Sequence, residues 1–140
     1  MALAQQALAS PASYAGAARS KPQQHGVTEL VLPVEQLSDM AMVLPMIAHL
    51  SQRDHSRWMT WIAPRGINRA LLEAYGVDTQ RLRIIHTQGE TDCWMIWEAL
   101  SSGTSHTVIA SPGVITEKAI AQLDAAAKSG KCDGLLLRFR

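Results

Sequence analysis

The segment Arg57-Trp58-Met59-Thr60-Trp61-Ile62-Ala63 constrains the fold more than any other stretch of the chain. Side chains on a strand point up and down in turn, so a strand with one wet face alternates apolar and polar residues. Here both parities are apolar: Met59, Trp61 and Ala63 on one, Trp58 and Ile62 on the other. Such a strand belongs in the interior of a sheet covered on both faces, and that requires two layers of helices.

The rest of the chain supplies them. Val27 to Leu32, closed by Pro33, reads as a first strand. From Ser38 a helical period runs through Met40, Ala41, Leu44, Ile47 and Leu50, with Ser38 as cap, Asp39 at the positive end of the dipole, and Pro45 predicting a kink or break. Pro64-Arg65-Gly66 ends the second strand. Asn68 caps a short helix reaching Tyr75, with Leu71, Leu72 and Tyr75 on one side and Gly76 as its left-handed stop. Leu82 to His86 is the third strand. Thr91 to Ser102 is a helix whose stripe is Trp94, Trp97 and Leu100 or Ser101, stopped by Gly103. Thr107 to Ala110 is the fourth strand. Thr116 caps a helix from Glu117 to Lys128 with Ile120, Leu123 and Ala127 inward; Gly130 closes it before a last strand, Gly134 to Phe139. Alternating strands and helices joined by short loops predict an α/β three-layer sandwich around a mostly parallel five-stranded sheet. Residues 27–140 form the single α/β domain. Residues 1–26, rich in Ala, Ser, Gln and Pro without a period that would bury a face, are expected to be a disordered tail.

Charge and cysteine content narrow the function. Thirteen Lys and Arg against twelve Asp and Glu give no bulk field for nucleic acid or an anionic membrane. No apolar run approaches the roughly 20 residues of a membrane span. Cys93 and Cys132 stand in no metal or redox spacing, which suits a reducing compartment. Met1 to Ala9 lacks the basic region of an export signal, so the expectation is a cytoplasmic protein.

Chemistry-bearing motifs are sparse. In this architecture ligands bind where the carboxyl ends of the strands meet, after Leu32, Ala63, His86 and Ala110, and none of those loops is glycine-rich. The five histidines make no HExxH and no pair on a helix turn, and no activated Ser or Cys stands out. No cofactor and no metal is expected, and the chain does not read as an enzyme. One rival stays open: Arg65, His86 and Glu90 could converge at the carboxyl edge as a small-ligand or acid–base site, or His86 simply ends a strand and Glu90 favours the next helix's positive end.

The stretch from Arg57 to Arg83 is instead dense in Trp, Tyr and Arg, the residues that anchor protein interfaces. For Trp58 and Trp61, three apart on a strand, filling the two helix–sheet layers is the simpler reading. Trp94 and Trp97 read as core. The arginines at element ends fit solvated charge as well as an interface.

Ser56-Arg57-Trp58-Met59-Thr60-Trp61-Ile62-Ala63-Pro64, then Leu71 to Gly76, Ala99-Leu100 to Gly103 and Val108-Ile109, with Leu44-Pro45 in the first helix, resemble the SulA family of SOS-response cell-division inhibitors. The resemblance runs from about Val27 to Arg140. It implies a shortened RecA-like domain without a P-loop, no enzymatic activity, and FtsZ as partner: the inhibitor would cover a polymerising face of this tubulin-like GTPase and stop assembly and GTP hydrolysis stoichiometrically. Carried over residue by residue, it puts partner contacts at Arg57, Ile62, Leu71 and Arg81. The same surface takes in Pro64, Arg65, Asn68, Leu72 and Tyr75. Arg57 is the expected anchor, replaceable without harm to the fold. Relatives continue past the last strand into a tail used by Lon protease; this chain stops at Phe139-Arg140, so that turnover signal is expected to be missing or trimmed. An exposed edge strand leaves room for a homodimer.

Overall fold

The computed structural model describes residues 25–33, 42–54, 56–64, 67–87 and 93–139. Along the chain they form β1 (Gly26–Leu32), α1 (Leu44–Ser51), β2 (Trp58–Ile62), α2 (Arg69–Ala74), a 3-10 turn (Thr79–Arg81), β3 (Leu82–Ile85), α3 (Cys93–Ser101), β4 (Ser105–Ala110), α4 (Glu117–Gly130) and β5 (Asp133–Phe139). The five strands make one parallel sheet in the order β1-β5-β4-β2-β3. The α/β class and the parallel sheet are as the sequence predicts. β2 is interior, between β4 and β3, while β1 and β3 are the edges.

The strand alternation sorts the apolar residues into two cores. Met59 and Trp61 of β2 join Ile109, Leu135 and Leu137 under Val43, Leu44 and Ile47 of the α1 region and Leu72 of α2. Ile62 points the other way, with Val108, Ala110 and Leu136, under Ile96 and Leu100 of α3 and Leu123, Ala126 and Ala127 of α4. The sheet is therefore the middle of three layers. At roughly 1.5–3 kcal/mol for each fully buried large apolar side chain, these two layers are the main source of stability.

Local signals place several boundaries as expected. Asn68 caps α2 and Thr116 caps α4, each accepting a hydrogen bond from the backbone N–H three residues on. Gly76 and Gly103 take positive φ, 86° and 82°, at the ends of α2 and α3.

Three expectations fail, each for a physical reason. The first helix starts at Leu44 with Val43 at its N-cap; Ser38 and Asp39 lie outside the described residues. Pro45 then falls in the first turn, where the backbone donor it lacks would have no helical partner, so it starts the helix instead of kinking it. At the end of α4 the left-handed residue is Lys131 (φ 52°) and not Gly130, which is still helical. On α3 the inward stripe is Ile96 and Leu100, leaving Trp94 62% and Trp97 44% exposed. Cys93-Ile96-Leu100 and Trp94-Trp97-Ser101 fit the helical period equally well, and the larger side chains are the outer set.

Candidate functional site

Arg57 stands just before β2. Its Nε donates to Asp54 Oδ2 (3.1 Å), and its Nη1 to the carbonyls of Ser105 (3.3 Å) and Gly130 (3.4 Å). Asp54 also accepts from the hydroxyl and the backbone N–H of Ser56. Those Ser56 bonds first, and Arg57 after them, hold its carboxyl far below the ordinary carboxylate range. Arg57 thus ties the entrance of β2 to β4 and to the end of α4, and it is a packing residue as much as a surface one.

One residue further, Trp58 is only half-buried. The expectation that it fills a core layer holds for Trp61, 1% exposed, and not for Trp58. Pairing of Met59 with Leu82 and Thr60 with Arg83 sets Arg81 and Arg83 beside its ring, their guanidinium carbons 5.6 and 5.7 Å from the ring centre. Such cation–π contacts contribute about 0.5–1 kcal/mol each at exposed sites. Arg83 is fixed further: Nε and Nη2 donate to Thr60 Oγ1 (3.3 and 3.2 Å), and Nη2 reaches Thr104 Oγ1 and Ser105 Oγ (3.1 Å each). Thr60 and Ser105 share a buried hydroxyl–hydroxyl hydrogen bond of 2.6 Å.

At the other end of β2, about 16 Å away at a strand's rise per residue, Ala63 adopts φ 51° and donates to the Ile85 carbonyl (2.7 Å). A left-handed non-glycine residue costs roughly 1–2 kcal/mol, and the turn it makes leads into half-buried Pro64. Arg65 lies outside the described residues. Asn68 is exposed and spends its side-chain oxygen on the cap of α2. On that helix Leu71 packs partly into the first core, Leu72 is fully buried and Tyr75 is 39% exposed. Ile62 is also fully buried. Of the residues expected to meet a partner, Ile62 and Leu72 are therefore not at the surface; burial makes them supports for it.

The remaining set does not converge on one point. Arg57 and exposed Arg81 sit at the amino end of β2 and β3, Pro64 just past the carboxyl end of β2, and Asn68, Leu71 and Tyr75 on α2 and its two caps. Only Arg81, which leads directly into β3, is tied to that edge strand by the chain itself. Of the rival acid–base set only His86 is described, exposed just after β3; Arg65 and Glu90 are not. Among the described residues no three His, Cys, Asp or Glu side chains are grouped to hold a metal ion, and no helix is long and apolar enough to cross a membrane.

No protein-family model matches the chain. Over 102 residues it is 28% identical to the cell division inhibitor SulA of Pseudomonas aeruginosa, an alignment covering 71% of this chain and 63% of that protein. The crystal structure of SulA from the same organism superposes with a TM-score of 0.73 at 27% identity, covering 81% of this chain and 98% of the crystallised one. The chain is SulA-like in sequence and in fold. It spans less than two thirds of the length of the curated SulA. Within this SulA-like domain, sequence reasoning counts Arg83 in an arginine-rich stretch without its partners, and reads Trp94 and Trp97 as core where the structure exposes them. Arg83 differs in no local pattern from an ordinary strand arginine; only the pairing of β3 with β2 reveals its setting.

Proposed function

We propose that this chain is a cell-division inhibitor that works by occupying a polymerising face of FtsZ in the cytoplasm, without chemistry of its own. The observation that carries the reading is the likeness to SulA, which extends over 98% of the solved SulA chain at 27% identity. Exposed Arg81, set over the Trp58 ring, and exposed Tyr75 support it as available contact residues. Arg57, Pro64, Arg65, Asn68, Leu71, Tyr75 and Arg81 belong to the proposed contact, with Ile62 and Leu72 beneath it.

The mechanism follows from head-to-tail assembly. A filament propagates only while each subunit's complementary face is free. An inhibitor seated on that face removes the subunit from growth, and GTP hydrolysis falls with it where the active site is completed by the neighbouring subunit. Clearance by Lon protease is part of the same proposal.

The test mixes the protein with purified FtsZ and GTP and follows pelleting and phosphate release. Both should fall in proportion to added inhibitor and reach their floor near one inhibitor per FtsZ subunit. Full inhibition at trace amounts, or none at a molar excess, overturns the reading.

A further inference from the structure

Four cations around the sheet are paired with carboxylates. Arg53 meets Asp133, Arg57 meets Asp54, Lys128 meets Asp124 and Arg138 meets Glu29, all within 3.1 Å. Arg81 and Arg83 depart from that pattern. Both guanidinium carbons lie within 5.7 Å of one ring centre, so the two like charges are gathered around a single indole. Among the described residues neither forms an ion pair. The three hydroxyls around Arg83 hold it in place but bring no negative charge. Its Nη1 group donates to none of them, which leaves part of the fork open for a carboxylate.

We propose that Trp58, Arg81 and Arg83 form a preorganised clamp for the carboxylates of an acidic protein segment. The side chains are already ordered, Arg83 by Thr60, Thr104 and Ser105 and both arginines by the indole, so a partner that supplies negative charge binds without the entropy loss of arranging two free arginines. The patch is small and the chain carries only +1 net charge, which favours a few carboxylates over the extended phosphate track of a nucleic acid. The clamp deepens the proposed inhibitor reading by naming the chemistry of its partner's surface, and rests on that reading only for the identity of the partner.

Two measurements on the whole chain test it. The first titrates the protein with a glutamate-rich peptide and, separately, with a single-stranded oligonucleotide of equal charge, following tryptophan emission against a Trp58→Phe control. The peptide should bind, more weakly with added salt, and R83Q should weaken it about tenfold, the size of one charge-assisted hydrogen bond. R83K should recover part of the loss. R81Q should weaken binding too, and because Arg81 is exposed, its substitution leaves the packing intact. Equal peptide binding by wild type and R81Q/R83Q overturns the clamp, as does tighter binding of the oligonucleotide. The second measurement repeats the FtsZ assay with R81Q/R83Q. A wild-type protein that binds the peptide through the clamp but leaves FtsZ unaffected removes FtsZ alone. Inhibition of FtsZ equal for wild type and double variant keeps the inhibitor reading and overturns the clamp as part of the FtsZ contact.

Discussion

The Nη1 of Arg57 reaches the carbonyl oxygen of Gly130, 3.4 Å away and 73 residues later in the chain. Through that bond, and the one to the Ser105 carbonyl, the entrance of β2 is fastened to β4 and to the last turn of α4. Arg57→Ala takes this donor from both carbonyls and from Asp54, which keeps its two Ser56 bonds, at a cost of about 1–3 kcal/mol. The denaturant midpoint should fall with an unchanged slope. This alters how a loss of FtsZ inhibition by that variant is read, since lower stability alone can produce it. Arg57→Lys, which keeps the charge but not the fork, separates the two causes if inhibition and midpoint are measured together. A midpoint identical to wild type for Arg57→Ala would return Arg57 to the free surface.

Gly130 and Lys131 invite opposite substitutions. A Cβ on Gly130 would collide with the Leu100 carbonyl, so this glycine exists for the close approach of α4 to α3. Lys131 carries the strained left-handed conformation that glycine would adopt freely. Gly130→Ala should therefore destabilise by several kcal/mol, in the range of severe overpacking. Lys131→Gly should be neutral or stabilise by up to about 1 kcal/mol. Thermal melts of the two variants decide the matter, and a mild effect for Gly130→Ala would mean that the two helices can part without cost.

What sequence reasoning reached and what it missed divide along the range of the interactions. Asn68 and Thr116 were readable because a cap bonds three residues away, to Leu71 and Ala119, and Gly76 and Gly103 because a left-handed stop is a property of one residue. The double-sided apolar pattern of β2 reported its interior position, though not that β4 and β3 would be its neighbours. Arg83 shows the limit: its partners Thr60, Thr104 and Ser105 lie 21 to 23 residues away and meet only through the sheet. The bonds of Arg57 to Ser105 and Gly130, 48 and 73 residues away, were out of reach for the same reason. Trp94 and Trp97 were misplaced because periodicity fixes the width of a helical stripe but not its phase; hydrophobic size, the usual arbiter, chose the outer face.

The two thiols should differ sharply in reactivity. Cys132 is fully buried, and burial, with the Asp133 charge adding to it, pushes its thiol up to about 12, so almost no thiolate exists at neutral pH. Cys93 is partly exposed at the start of α3. With a thiol reagent at pH 7.5 the native protein should show one fast equivalent, removed by Cys93→Ser, and the second only after denaturation. Two fast equivalents in the native state would mean that the α4–β5 junction opens readily.

His106 should make the fold sensitive to mild acid. It is 5% exposed, its Nδ1 shares a 2.8 Å hydrogen bond with Thr107 Oγ1, and its Nε2 has no hydrogen-bond partner among the described residues. Burial lowers its pKa from the ordinary 6.5; Asp54 and Asp133 pull the other way, while Arg53 and Arg57 add to the lowering. The folded protein thus keeps His106 neutral at a pH where the unfolded chain takes up a proton. Below about pH 6.5 the unfolded state binds more protons than the folded one, so stability falls as pH falls until the depressed folded pKa is reached. Above 6.5 this contribution is flat. Asp54 does not interfere, since its carboxyl stays ionised throughout that window. Unfolding free energies of wild type and His106→Gln between pH 5 and pH 8 should diverge in slope below 6.5, with the variant flatter. Parallel curves would show that a proton enters the folded protein at His106 as easily as the unfolded chain, which the unpartnered, buried Nε2 argues against.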